Sequence, residues 1–253
     1  MTPELVTVPC LSDNYAYLLH NPGNGETAVV DAPEAGPIAA ELRRRGWNAD
    51  LILITHHHDD HIDGVGELRA EFGAKVIGAA ADAHRLPKLD QQVSEGDCLR
   101  LCGTSAQVLD VSGHTVGHIA YVMPGMAFTA DSLMALGCGR VFEGTAPMMW
   151  NSLCKLAALP ADTLICSGHE YTSANARFAL SIEADNEALI ARAEDVRRAV
   201  AAGIPTVPSK LSLELATNPF LRANLPLMKA KIGMPGAGDA EAFAEIRARK
   251  DRF

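Results

Sequence analysis

Ten short runs between residues 3 and 170 are either apolar throughout or alternate apolar with polar positions. They are ELVTVP, YAYLLH, TAVVDA, LILIT, KVIGA, DCLRLCG, AQVLDVSG, HIAYVM, MAFTAD and TLICSG. Alternation marks a half-buried strand, and a bounded apolar run marks a buried one. Three stretches at helical spacing interrupt them: PIAAELRRRG (37–46), VGELRAEFG (65–73) and APMMWNSLCKLAAL (146–159). Each is closed by glycine or proline, the usual punctuation of a helix end. The alternation predicts α/β layers built on mixed sheets. After Tyr171 the texture changes. Residues 173–203 are alanine-rich, strand-free and charged at helical spacing, and Pro205 and Pro208 break the run. SLELATNPFLR reads as a loop and DAEAFAEIRARK as a short helix, so residues 173–253 are expected to form a small helical domain after a layered domain over 1–172.

Composition narrows the class. A 253-residue chain that is 48% hydrophobic can bury a substantial core. No apolar run approaches the roughly 18–20 residues of a membrane span. The first residues, MTPELVTVPC, lack a basic n-region and an apolar h-region, so a cleaved signal is not expected. Six cysteines are scattered without a CxxC pair, which fits free thiols in a reducing cytoplasm better than a disulfide framework. A net charge of −9 argues against general nucleic-acid binding. The balance is uneven, because IRARKDRF at the end carries four basic side chains and one acid. Arg247 and Lys250 there lie one helical turn apart, which favours an anion site over a solvated helix end.

The chemistry is concentrated where apolar runs stop. LILI is followed by Thr55, His56, His57, His58, Asp59, Asp60 and His61; AQVLDVSG by His114 and, four residues on, His118; MAFTA by Asp131; TLICSG by His169, Glu170 and Tyr171. Strand ends carry sites because rigid strands position them. In a loop leaving a strand, His56 and His58 face one side, while Asp60 and His61 can turn to a second centre. Two metals about 3.5–4 Å apart need about six or seven ligands, one a bridging carboxylate. Imidazole and carboxylate suit Zn, Fe or Mn alike. His57 and Asp59 are expected to shape the loop, and His118 to orient a ligand or fill the core. Asp31, ending TAVVD, fits equally a ligand-supporting carboxylate and a turn former. His20 and His84 read as ordinary surface or turn residues. Cys166, three residues before His169, reads as a buried strand cysteine rather than a nucleophile.

THHHDDH, GHTVGH, the isolated Asp131 and GHEYT resemble the metal-ligand motifs of the metallo-β-lactamase superfamily. LSDNYAYLL, GCGRVFEGT (137–145), NPFLR (218–222) and RARKD resemble, within it, the glyoxalase II family, over residues 4–252. The resemblance implies a metallo-β-lactamase-like αββα sandwich with a small C-terminal all-helical, substrate-binding domain. It implies two divalent metal ions per chain, zinc first, with Fe or Mn as alternatives. His56, His58 and His114 would hold one, Asp60, His61 and His169 the other, and Asp131 would bridge them, with water between the metals as the nucleophile and Asp60 and Asp131 as the catalytic carboxylates. The absence of a G-x-S-x-G elbow agrees. The substrate implied is an S-(2-hydroxyacyl)glutathione thioester, typically S-D-lactoylglutathione, met by Arg140, Phe142, Tyr171, Arg247 and Lys250. Arg140 stands where the family usually has lysine, Phe142 where it has tyrosine, and Asp63 where it has glycine. A monomer is expected. The competing expectations are a mononuclear-iron glutathione persulfide dioxygenase, a branch that lacks the helical domain and the full second ligand set, or another thioester hydrolase of the metallo-β-lactamase fold.

Overall fold

The computed structural model describes residues 3–253. By their internal packing these form two compact units, one running through Asp110 and resuming over Gly117–Thr129, the other comprising Val111–Val116 and Ala130–Phe253.

The first unit begins with β1 (Glu4–Cys10), β2 (Asn14–His20) and β3 (Thr27–Val30). Then come α1 (Ala35–Arg45), β4 (Leu51–Leu53), α2 (Asp59–Ile62), α3 (Val65–Phe72), β5 (Lys75–Ala79) and β6 (Gln91–Val93). The six strands make one mixed sheet in chain order. β1–β2–β3 pair antiparallel, and β3–β4–β5–β6 pair parallel. Every residue of β2 and β3 is buried, as expected of strands covered on both faces. On one face, Leu18, Val29, Ile52 and Val76 pack with Ile38 and Leu42 of α1 and Leu68 of α3. The other face meets an antiparallel set made of β7 (Cys98–Leu101), β8 (Thr104–Asp110), β9 (Ile119–Met123) and β10 (Met126–Ala130). Tyr17 meets Phe128 edge-on at 5.7 Å, and the Tyr121 hydroxyl donates to the Ile54 carbonyl at 3.0 Å. Apolar burial holds these layers together, at about 25 cal/mol per Å².

The second unit holds β11 (Leu133–Met134) and β12 (Gly137–Cys138), a short hairpin, then α4 (Ala146–Ala157) and β13 (Leu164–Ser167). α5 (Thr172–Ile182), α6 (Glu187–Ala201), β14 (Ser209–Lys210), α7 (Leu211–Thr217), α8 (Pro226–Lys231) and α9 (Asp239–Arg252) follow. A row of aromatic contacts, Phe178–Phe220, Phe220–Phe243 and Trp150–Phe243, ties α5, the NPFLR segment, α9 and α4 together, each at about 6 Å. Glu214, fully buried, accepts from the Leu136 backbone at 2.8 Å, from Ser209 and Asn218, and from Arg192. Buried carboxylates persist only when partnered this fully.

All ten expected strands and the three early helices form. The helical run over 173–203 divides, because Glu183 leaves helical geometry at φ −121 and is clasped by Nε and Nη2 of Arg222, at 2.8 and 3.0 Å. Asn186 then caps α6 by accepting from the Leu189 backbone at 3.1 Å. SLELAT, expected as loop, is helix α7. His20 is no surface residue: it is buried, stacked on Trp47 at 4.0 Å, with Nδ1 on the Thr27 hydroxyl. His84 does lie exposed in a turn. Asp63 is exposed at φ −57, a conformation open to any residue, so nothing there requires glycine.

Candidate metal centre

In the first unit the apolar run 51–54 ends at Thr55, and the chain runs without regular structure to His58, whose own backbone is extended (φ −64, ψ 141). His56 Nε2 and His58 Nδ1 face each other at 3.1 Å, while His57 turns away to Asp82. The stretch beyond is not an irregular loop, as expected, but the single helical turn α2, which carries Asp60 and His61.

One carboxylate sets the tautomers of two of these rings. Asp31 accepts from the Thr55 backbone N–H (2.9 Å), the Thr55 hydroxyl (2.8 Å) and His61 Nδ1 (2.8 Å). A carboxylate only accepts, so His61 carries its proton on Nδ1 and presents the Nε2 lone pair. The Thr55 hydroxyl, having donated to Asp31, accepts from His56 Nδ1 at 3.0 Å. His56 therefore also presents Nε2. Asp31 sits at φ 54, so it is turn former and support at once. Asn14 of LSDNY, buried, donates to both the carbonyl and Oδ2 of Asp60, at 2.9 and 3.0 Å. His118, fully buried, stacks on His56 at 4.6 Å, a place compatible with either reading of it.

In the second unit three further candidate donors, His114, Asp131 and His169, come together. The Gly168 N–H bonds to the Ala130 carbonyl at 3.1 Å. The residue after each, His169 and Asp131, therefore emerges side by side. His169 Nε2 lies 3.3 Å and His114 Nε2 3.5 Å from the same Asp131 Oδ2. His114 Nδ1 donates to the Arg140 carbonyl at 2.8 Å, so its Nε2 also carries the lone pair. Gly139 is obligatory, because a Cβ would overlap the Asp131 carbonyl and come within 2.9 Å of His114 Nδ1. Donors bound at about 2.0–2.1 Å around one tetrahedral ion sit about 3.3 Å apart. The spacings and lone-pair directions in both units fit divalent cations.

Tyr171 stacks flat on His169 (4.6 Å, 9°), and the Phe142 ring lies 5.3 Å from His114; both are substantially exposed. The basic terminus is folded, not splayed into solvent. Arg247 is buried, donates to the Cys138 carbonyl (2.9 Å) and to Asp251 (2.9 and 3.1 Å), and lies over Phe220. Lys250 Nζ donates to the Ala174 carbonyl at 3.3 Å and lies over Phe178 and Phe253. Burial, then the charges of Arg247, Arg177 and Arg140, push Lys250 down to about 8. Arg140 is exposed and lies 3.9 Å from Asp251. Arg177 escapes the sequence reading because a charge on an alanine-rich helix looks merely solvated. Asn14 escapes it because an asparagine 46 residues from its carboxylate leaves no local mark. No thiol competes as nucleophile here: burial pushes Cys166 and Cys138 well up, Cys138 to about 11.

The chain is 65% identical to a hydroxyacylglutathione hydrolase of Ruegeria pomeroyi and 61% identical to one of Cereibacter sphaeroides, each covering the whole of both chains. The chain belongs to the hydroxyacylglutathione hydrolase family. The model of that family's C-terminus matches residues 170–253, and the metallo-β-lactamase superfamily model matches residues 12–97. Among solved structures, ETHE1 from Myxococcus xanthus aligns over 98% of this chain and 90% of its own, at TM-score 0.67 and 24% identity. TTHA1623 in a di-iron-bound form aligns over 66% of this chain and 91% of its own, at TM-score 0.56 and 26% identity. The family has the expected fold, metallo-β-lactamase-like α/β layers followed by a helical C-terminal part. Among the described residues no helix is long and apolar enough to cross a membrane.

Proposed function

We propose that the chain hydrolyses S-(2-hydroxyacyl)glutathione thioesters, S-D-lactoylglutathione among them, to the hydroxy acid and free glutathione. The observation that carries this is full-length identity to hydroxyacylglutathione hydrolases in a chain whose donor motifs are intact. The donors are assigned to a binuclear centre: His56, His58 and His114 for one ion, Asp60, His61 and His169 for the other, and Asp131 shared. Zinc is the first candidate, with iron or manganese open to the same donors. When bound, such ions supply Lewis acidity toward the thioester carbonyl and acidify water.

The chain's own contribution is positioning. Asp31 and Thr55 keep the Nε2 lone pairs of His56 and His61 available, the Arg140 carbonyl does so for His114, and Asn14 holds Asp60. Arg140, Tyr171 and Lys250 are assigned to the glutathione moiety, whose two carboxylates need cations, with Phe142 beside them and Arg247 anchoring the segment that carries Lys250. A thiolate leaves readily near neutral pH, so no general acid is required. The working form proposed is a monomer in a reducing cytoplasm, in keeping with its free cysteines. Thiol release from S-D-lactoylglutathione, set against a coenzyme A thioester, tests the reading. Oxygen uptake with glutathione persulfide and no thiol release would replace it with a dioxygenase.

A further inference from the structure

Asp82 belongs to none of the donor motifs, yet only 1% of its surface is exposed. It ends a short 3-10 turn after β5. One carboxylate oxygen takes Arg85 Nε and Nη2, at 3.0 and 2.5 Å; the other accepts from His57 Nδ1 at 3.2 Å. The same carboxylate packs against Gly117, where any Cβ would overlap it. A buried ion pair contributes little net stability, since desolvation offsets most of the attraction. Its value here lies in what it holds. His57 stands between His56 and His58 in the chain, and its ring, held on Asp82, lies 5.0 Å from that of His58, edge to face. Gly117 lies in GHTVGH, three residues after His114.

We infer that Asp82, braced by Arg85, is a positioning residue for metal binding: through His57 it fixes the direction in which His56 and His58 present their nitrogens. This rests on the binuclear reading above. Loss of a group that orients a ligand without touching the metal lowers affinity about 10–100-fold. The dependence on His57 makes the inference specific, because a carboxylate acting only through His57 has nothing left to fix once that ring is gone.

The test uses His57→Ala, Asp82→Ala and the double variant beside the wild type. Each is stripped of metal and titrated with Zn²⁺ against a chromophoric chelator, with urea unfolding of each apoprotein in parallel. The wild type is expected to take two equivalents. Each single variant should bind at least one of them about 10–100-fold more weakly, and the double variant no more than about twofold more weakly than the weaker single. His57→Ala leaves Asp82 paired with Arg85, so it reads out even where Asp82→Ala fails to fold. Wild-type affinity in His57→Ala, or additive losses in the double variant, overturns the inference. Apoprotein stability lost without affinity also overturns it. A wild type that takes up no Zn²⁺ overturns the binuclear reading itself.

Discussion

Replacing Lys250 by arginine and by methionine separates charge from burial in the basic cluster. The ammonium is partly buried against Phe178, Phe253 and the Ala174 carbonyl. Arg247, Arg177 and Arg140 bear on it from three segments, opposed by Asp251, and its value falls to about 8. At pH 7 about nine-tenths of the side chain is charged; at pH 9 about one-tenth is. If Lys250 binds a glutathione carboxylate, KM should rise as pH passes through about 8, approaching tenfold by pH 9, with kcat little changed because the contact is remote from the carbonyl. Lys250→Arg should abolish the rise, since arginine stays charged; the substrate's own ammonium titrates identically in both proteins and cancels. Stability should move the other way. Between about 8 and the unfolded value near 10.5, the unfolded chain holds a proton that the folded one does not, so folding is favoured as pH rises. Lys250→Met should therefore keep or raise Tm at pH 7 while raising KM. Steady-state kinetics from pH 6.5 to 9.5 on all three proteins decide it. A wild-type KM flat across pH 7–9, or an equal rise in Lys250→Arg, would refute the argument.

Asp131→Ala should lose at least one metal equivalent by elemental analysis and most of kcat, because His114 and His169 both converge on its Oδ2; a fully loaded, active variant would contradict the shared-ligand assignment. Asp31→Asn keeps the left-handed turn that asparagine tolerates, but sets an amide N–H against a donor, flipping the tautomer of His56 or His61. Zn²⁺ affinity should fall about 10–100-fold, and wild-type affinity in a chelator competition would dismiss the tautomer argument. Phe142→Tyr restores a hydroxyl on a ring that is 62% exposed, so substrate binding should tighten by at most about 0.5–1.5 kcal/mol; an unchanged or raised KM would mean that the hydroxyl finds no partner.

The layered architecture was legible because its signals are local. Alternation and bounded apolar runs gave every strand that carries or precedes a candidate donor, and four runs that each stop at histidine or aspartate marked the candidate site before any contact was known. What escaped were elements defined by partners. The two-residue strands β11, β12 and β14 are too short for a period. The break between α5 and α6 depends on Arg222 reaching back 39 residues to Glu183. Helix α7 is built round Glu214, whose partners come from Leu136, Arg192, Ser209 and Asn218. The division of the chain drawn at residue 173 follows a change in composition, whereas packing joins residues from 130 onward to the helices.

The same distinction runs through the site. A metal ligand must be a particular residue type at a particular spacing, so it leaves a mark in the chain. The group that fixes its tautomer need only be an acceptor in the right place, and many residue types and backbone carbonyls qualify. Asp31 serves Thr55 from 24 residues away, Asn14 serves Asp60 from 46, Asp82 serves His57 from 25, and the Arg140 carbonyl serves His114 from 26. The last of these involves no side chain, so no substitution pattern at Arg140 would report it. Exchanging the side chain at 140 should accordingly change substrate binding while leaving the His114 tautomer intact. A change at Gly139, which crowds both Asp131 and His114, should damage metal binding without touching a single ligand.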